Sequence, residues 1–137
     1  MKIPALPAVR TYMDTETPAL SATDDILVAA RRLIDEGVTD VPVVDEGGSV
    51  VGMLSEYGCL RLLAEGRDGQ PPRGQVHEFM STTFTAVPPT MDVYYAAGMF
   101  LSEPTQRRFV VMEGQRLVGV VTRKDILRAV RVGPKGG

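Results

Sequence analysis

Near the C-terminus, Gly119-Val120-Val121-Thr122-Arg123-Lys124-Asp125-Ile126-Leu127 sets a hydroxyl, a guanidinium and a carboxylate side by side. Together these three groups can hold a phosphorylated sugar, with Asp125 taking ribose hydroxyls and Arg123 taking phosphates. The elements around them favour that work. Leu117 to Val121 is an apolar run of strand length, and Thr122 is a preferred helix N-cap. Ile126, Leu127 and Val130 then recur at helical spacing. A strand delivered straight into a helix start presents backbone amides that lack intrahelical partners, which suits an anion. The same residues also read as an ordinary capped surface helix with Asp125 favouring its dipole.

The arrangement occurs twice. Gly52-Met53-Leu54-Ser55-Glu56-Tyr57-Gly58 repeats the strand-to-helix order 67 residues earlier, with Ser55 at the cap. At the same offset Met13 matches Met80, Thr23 matches Thr90, Asp25 matches Asp92, and Val43-Val44 matches Val110-Val111. Two copies of about sixty residues point to a paired domain, since a solenoid needs three or more repeats. Each copy reads as a short strand, a helix, a hairpin and a closing helix. Pro18-Ala19-Leu20 and Thr85-Ala86-Val87 supply the short strands. Thr23 is the expected cap of a helix carrying Ile26, Leu27, Ala30, Leu33 and Ile34 and closed by Gly37. Thr90 opens its counterpart through Val93, Ala97, Phe100 and Leu101. Val41–Asp45 and Ser49–Leu54 form a hairpin about Glu46-Gly47-Gly48, echoed by Arg108–Met112 and Arg116–Val121. Ser55–Ala64 closes the first copy, with Leu60 and Leu63 expected inward.

Val41-Pro42-Val43-Val44-Asp45 with Gly52 to Ser55, and Arg108 to Met112 with Gly119 to Asp125, resemble the cystathionine-beta-synthase (CBS) motif. The chain therefore resembles one tandem CBS pair, a Bateman module. The resemblance implies an α/β fold of two β-α-β-β-α motifs related by pseudo-twofold symmetry, with small three-stranded sheets packed against helices. It divides the chain into a lead-in 1–8, a first motif 9–66, a linker 67–75, a second motif 76–132 and a tail 133–137.

The resemblance further implies regulatory binding of an adenosine nucleotide, AMP, ADP or ATP, with no cofactor required. In the second copy the implied contacts are backbone groups of Thr85, Ala86 and Val87, and Arg108, Phe109, Thr122, Arg123 and Asp125. Phe109 is expected beside the adenine, where it would stack on the base or serve the core instead. Arg107 and Arg108 add cations for a polyphosphate or an acidic partner, unless they are a solvated strand entrance. In the first copy Ala19, Leu20, Val41, Pro42 and Ser55 line a weaker cleft, because Gly58 stands where Asp125 does and Glu56 where Arg123 does. The resemblance also implies a homodimer through the helix faces Ala29-Ala30-Leu33 and Ala96-Ala97-Phe100, for which burial in the core is the competing explanation. A chain of 137 residues leaves no room for an effector domain, so the output is expected to reach a separate effector protein. A ligand-free dimerisation or scaffolding pair is the alternative.

Composition narrows the remaining classes. A net charge of −2 gives no general drive toward nucleic acid or an anionic membrane. No apolar run approaches the roughly 18 residues of a membrane helix, and one cysteine builds no internal disulfide, so a cytoplasmic protein is expected. An enzyme is not expected. Asp25 and Asp92 each have an ordinary role at a helix start, His77 is a lone histidine, and Cys59 reads as a small inert apolar residue. The sequence contains no P-loop motif.

Overall fold

The computed structural model describes residues 7–66 and 73–132, so the tail 133–137, most of the linker and most of the lead-in lie outside the described residues. The elements run α1 (Val9–Tyr12), β1 (Leu20–Ser21), α2 (Ile26–Glu36), β2 (Asp40–Val44), β3 (Val50–Ser55) and α3 (Glu56–Glu65). After a 3-10 turn at Val76–Glu78 come β4 (Ala86–Val87), α4 (Val93–Ser102), β5 (Arg108–Glu113), β6 (Arg116–Thr122), α5 (Arg123–Leu127) and a 3-10 segment Arg128–Val132. The result is a mixed α/β fold with two three-stranded sheets, ordered β1-β2-β3 and β4-β5-β6.

Each short strand joins its sheet in parallel, Leu20 opposite Val43 and Ala86 opposite Val110. A parallel neighbour needs a crossover, and α2 and α4 supply it. β2 and β3 then pair antiparallel from Asp40–Ser55 to Val43–Gly52, with an irregularity before Val44–Val50. The helix starts differ from expectation by two residues. Asp25, not Thr23, caps α2, its carboxylate accepting from the Leu27 and Val28 amides. Asp92 likewise caps α4 through the Tyr95 amide. A carboxylate accepts without needing a rotor and adds charge at the positive helix end, so it prevails over a nearby threonine.

The compact units do not follow the order of the copies. Among the described residues, one unit combines 7–17 with 85–114 and 118–132; the other combines 18–66 and 73–84 with 115–117. The cause is an exchange of leading segments. Asp14 pairs its backbone with Val120 in both directions, at 2.8 and 3.0 Å, and Ser81 does the same with Met53, at 2.8 and 2.9 Å. Gly119 and Gly52 permit these approaches. A Cβ at Gly119 would stand 2.9 Å from the Asp14 carbonyl, and one at Gly52 only 2.7 Å from the Ser81 carbonyl. The cores follow suit. Val9 is buried with Val87, Val93, Phe100, Phe109 and Val121, while Val76 and Phe79 are buried with Leu20, Ile26, Leu33 and Leu54.

Two helix faces depart from the sequence reading. In α3 the buried positions are Gly58 and Leu62, one turn apart, whereas Leu60 and Leu63 are exposed. Of the stripes Ala29-Ala30-Leu33 and Ala96-Ala97-Phe100, Ala29, Leu33, Ala96 and Phe100 are core within their own units, while Ala30 and Ala97 are half-buried and line surface grooves. Cys59 is half-buried, and desolvation, with the Glu56 charge, pushes its thiol above the usual value. A raised value disfavours the thiolate, which is the nucleophilic form.

Candidate functional site: a cleft at the start of α5

β6 ends at Thr122, which caps α5. Its hydroxyl accepts from the Asp125 amide at 3.1 Å, and the Asp125 carboxylate accepts from the Thr122 amide at 2.9 Å. This reciprocal capping box satisfies two amides that the helix start would otherwise leave without partners. Asp125 is 6% exposed, and it is the one buried charged side chain among the described residues. Its other oxygen pairs with Arg128 at 3.0 Å. A buried carboxylate is tolerated only with such partners. A carboxylate offers about four acceptor directions, so the cap and the arginine leave room for a ligand hydroxyl.

A cavity of about 430 Å³ opens beside this carboxylate, lined by Met13, Asp14, Thr15, Glu16, Arg108, Val120, Thr122, Asp125 and Arg128. That volume falls within the range of small-molecule sites. Part of the wall is the leading segment brought in by the Asp14–Val120 pairing. Asp14 accepts from the Glu16 amide at 2.8 Å and from the Thr17 hydroxyl. The Thr17 hydrogen bond above all, and also the Glu16 amide and the Arg108 charge, hold the Asp14 carboxyl below its ordinary value, against the opposing effect of burial.

Of the expected contacts of the second copy, Arg108, Thr122 and Asp125 come together in this cavity. Arg123 turns away. Its guanidinium donates to the Pro104 and Gln106 carbonyls, beside an apolar hollow lined by Ala97, Phe100, Leu101, Ile126 and Leu127. Phe109 presents no face to the cavity. It is fully buried and stacked on Phe100, with centroids 3.8 Å apart and planes 7° from parallel. Thr85, Ala86 and Val87 are outside the cavity lining: the Thr85 carbonyl accepts from Val110, its hydroxyl donates to Glu103 at 2.7 Å, and Ala86 and Val87 pair with β5. Arg107 is exposed and outside the cavity lining.

In the first copy Leu20, Val41 and Pro42 are buried in the sheet, Ala19 is half-buried, and Ser55 caps α3 through the Gly58 amide at 3.2 Å. Gly58 stands against the Phe79 carbonyl, only 2.5 Å from where a Cβ would be. A side chain at this position would therefore collide with backbone. Sequence reasoning missed Asp14, Thr15, Glu16 and Arg128. The offset that pairs Gly52 with Gly119 was a usable signal, because both glycines mark where a leading segment crosses.

Comparison with known proteins agrees with this architecture. The model of the CBS domain matches twice, over residues 9–65 and 76–132. The chain is 32% identical over 120 residues to the CBS domain-containing protein YhcV of Bacillus subtilis, covering 87% of this chain and 82% of that one. It is 29% identical over 119 residues to the 5'-AMP-activated protein kinase subunit gamma-3 of Sus scrofa, spanning 83% of this chain but only 23% of that one. Among solved structures, CBSX2 in complex with AMP superposes with a TM-score of 0.78 at 24% identity, covering 92% of this chain and 97% of that one. The CBS domain pair of MJ0100, in complex with 5'-methylthioadenosine and S-adenosyl-L-methionine, superposes with a TM-score of 0.76 at 22% identity, covering 93% and 98%. With two matched domains filling most of its length, the chain belongs to the CBS domain family as a tandem pair.

Proposed function

We propose that this chain is a regulatory binding module that takes an adenosine-containing ligand in the Asp125 cleft and signals its presence to a partner protein. The observation that carries the reading is the buried Asp125 carboxylate at the edge of a cavity of ligand size. Thr122 fixes its orientation through the cap, so it meets ribose hydroxyls without first being ordered. The AMP, 5'-methylthioadenosine and S-adenosyl-L-methionine in the related structures support this ligand class. Binding without catalysis fits the site: the Asp14 and Asp125 carboxylates are held by a turn, a cap and an arginine. No helix among the described residues is long and apolar enough to cross a membrane.

The test is a thermal-shift series with adenosine, AMP, ADP, ATP and S-adenosylmethionine on the wild type and on Asp125→Asn. Ligand at about one hundred times its dissociation constant stabilises by roughly 2.7 kcal/mol. For a chain of this size the rise is on the order of 5 to 15 °C. Asp125→Asn keeps an acceptor for the Thr122 amide while losing the charge, and it is expected to lose most of that rise. A full rise in the variant, or none with any compound at millimolar concentration in the wild type, overturns the reading.

A second reading, a scaffolding pair, draws on the exposed apolar side chains. Ile34, Leu60 and Leu63 are 77%, 61% and 65% exposed and line one groove of α2 and α3 with Leu27 and Ala30. On the other unit Leu101 and Leu127 are 85% and 65% exposed. Such patches mark association surfaces, and a homodimer through these helices is the form we propose. Sedimentation equilibrium is expected to give twice the chain mass at micromolar concentration. A single-chain mass at high micromolar concentration removes the dimer.

A further inference from the structure

We propose that Asp14 and Glu16 make the Asp125 cleft a filter for phosphate count, admitting adenosine compounds with at most one phosphate and disfavouring di- and triphosphates. This rests on the adenosine reading above and narrows it. The charges that line the cavity are three carboxylates, Asp14, Glu16 and Asp125, against two guanidiniums, Arg108 and Arg128. Asp125 and Arg128 form an ion pair and largely cancel. What remains is two carboxylates on one wall, faced by Arg108, whose charge already acts on Asp14. The wall is fixed in place. Asp14 is tied to Val120 by two backbone hydrogen bonds, and its carboxylate by the Glu16 amide and the Thr17 hydroxyl. The Asp14 carboxylate does not swing clear of a ligand without breaking that turn, and the Glu16 backbone is anchored in the same turn by its amide.

Size makes the excess charge matter. A sphere of the cavity's volume is about 9 Å across, comparable with the Debye length of about 8 Å at physiological salt. Any phosphate in the cavity, or at its mouth, thus lies within the unscreened range of Asp14 and Glu16. The first phosphate meets the guanidinium charge of Arg108, which it shares with Asp14. Each further phosphate adds negative charge with no cation in the lining beyond Arg108 and the Asp125-bound Arg128. Pairwise repulsion at several ångströms in a half-solvated site corresponds to about three- to tenfold in affinity per phosphate.

The test is calorimetric titration of adenosine, AMP, ADP and ATP into the wild type, Asp14→Asn, Glu16→Gln and the double variant. Both substitutions are isosteric, and Asn retains the acceptor for the Glu16 amide; a melting curve checks folding. The readout is the ratio of the ATP and AMP dissociation constants. In the wild type it is expected to exceed about tenfold in favour of AMP and to narrow as salt is raised. The double variant is expected to reduce it by about tenfold. ATP binding as tightly as AMP to the wild type overturns the filter while leaving the adenosine reading intact. So does a ratio unchanged in the double variant. Absence of binding by all four compounds overturns the parent reading, and the filter with it.

Discussion

Gly58→Asp, which would give the first copy the carboxylate of the second, is expected to lower the melting temperature by more than about 10 °C. It should create no ligand site. A Cβ at residue 58 falls 2.5 Å from the Phe79 carbonyl oxygen, closer than such atoms approach. That oxygen belongs to backbone, and the Phe79 side chain is 8% exposed within the first core, so the neighbour cannot swing aside. Overpacking of this kind costs about 1–3 kcal/mol, and a poorly solvated carboxylate facing a carbonyl adds to it. Gly58→Ala isolates the steric part, at roughly 2–3 kcal/mol. Gly98→Ala is the internal control: that glycine is exposed in α4, and a Cβ there meets nothing within 4 Å. Alanine in a helix interior is favoured over glycine by about 0.5–1 kcal/mol, so the control is expected to stabilise. Equal melting curves for the two alanine variants would remove the packing account of Gly58.

The contrast between these glycines shows which parts of the molecule were legible before the structure. Residues that act on their own neighbourhood were readable: Thr122 and Ser55 both cap the helices that follow them, as their types predict. The hairpins and the repeat were readable because they depend on local apolar runs and a constant offset. Side-chain direction was not. Arg123 is next to Thr122 in the chain, yet one step around a helix turns it from the cleft to the Pro104 and Gln106 carbonyls. Leu60 and Leu63 look like core by composition, but Gly58 and Leu62 decide which face of α3 is covered. The cleft wall was the least legible part. Asp14 meets Val120 across more than one hundred residues, and neither carries a local mark of that pairing. The mark lies on the glycines, where a missing side chain makes room for a strand from elsewhere.

Phe109→Ala is expected to produce the largest loss of stability, about 3–5 kcal/mol, or 10 to 20 °C in melting temperature. The ring is fully buried and lies flat against Phe100, in a core that also holds Val9, Val93, Val111 and Val121. Its truncation leaves a cavity bordered by two elements of the sheet and by α4, and packed interiors collapse only partly into such gaps. Phe109→Leu keeps most of the volume and loses the stacked pair, worth about 0.5–1.5 kcal/mol. It is expected to melt a few degrees below the wild type. The two roles open to Phe109 make opposite demands on this second variant. A ring that stacks on adenine would leave the ligand-free melting point of Phe109→Leu near the wild type and abolish its rise with AMP. A core ring lowers the ligand-free melting point and leaves the rise intact, because the Asp125 cleft is lined without Phe109. We expect the second pattern. A double-mutant cycle with Phe100→Leu then measures the pair directly: a coupling near zero would show that the stacked geometry adds nothing beyond the area the two rings bury.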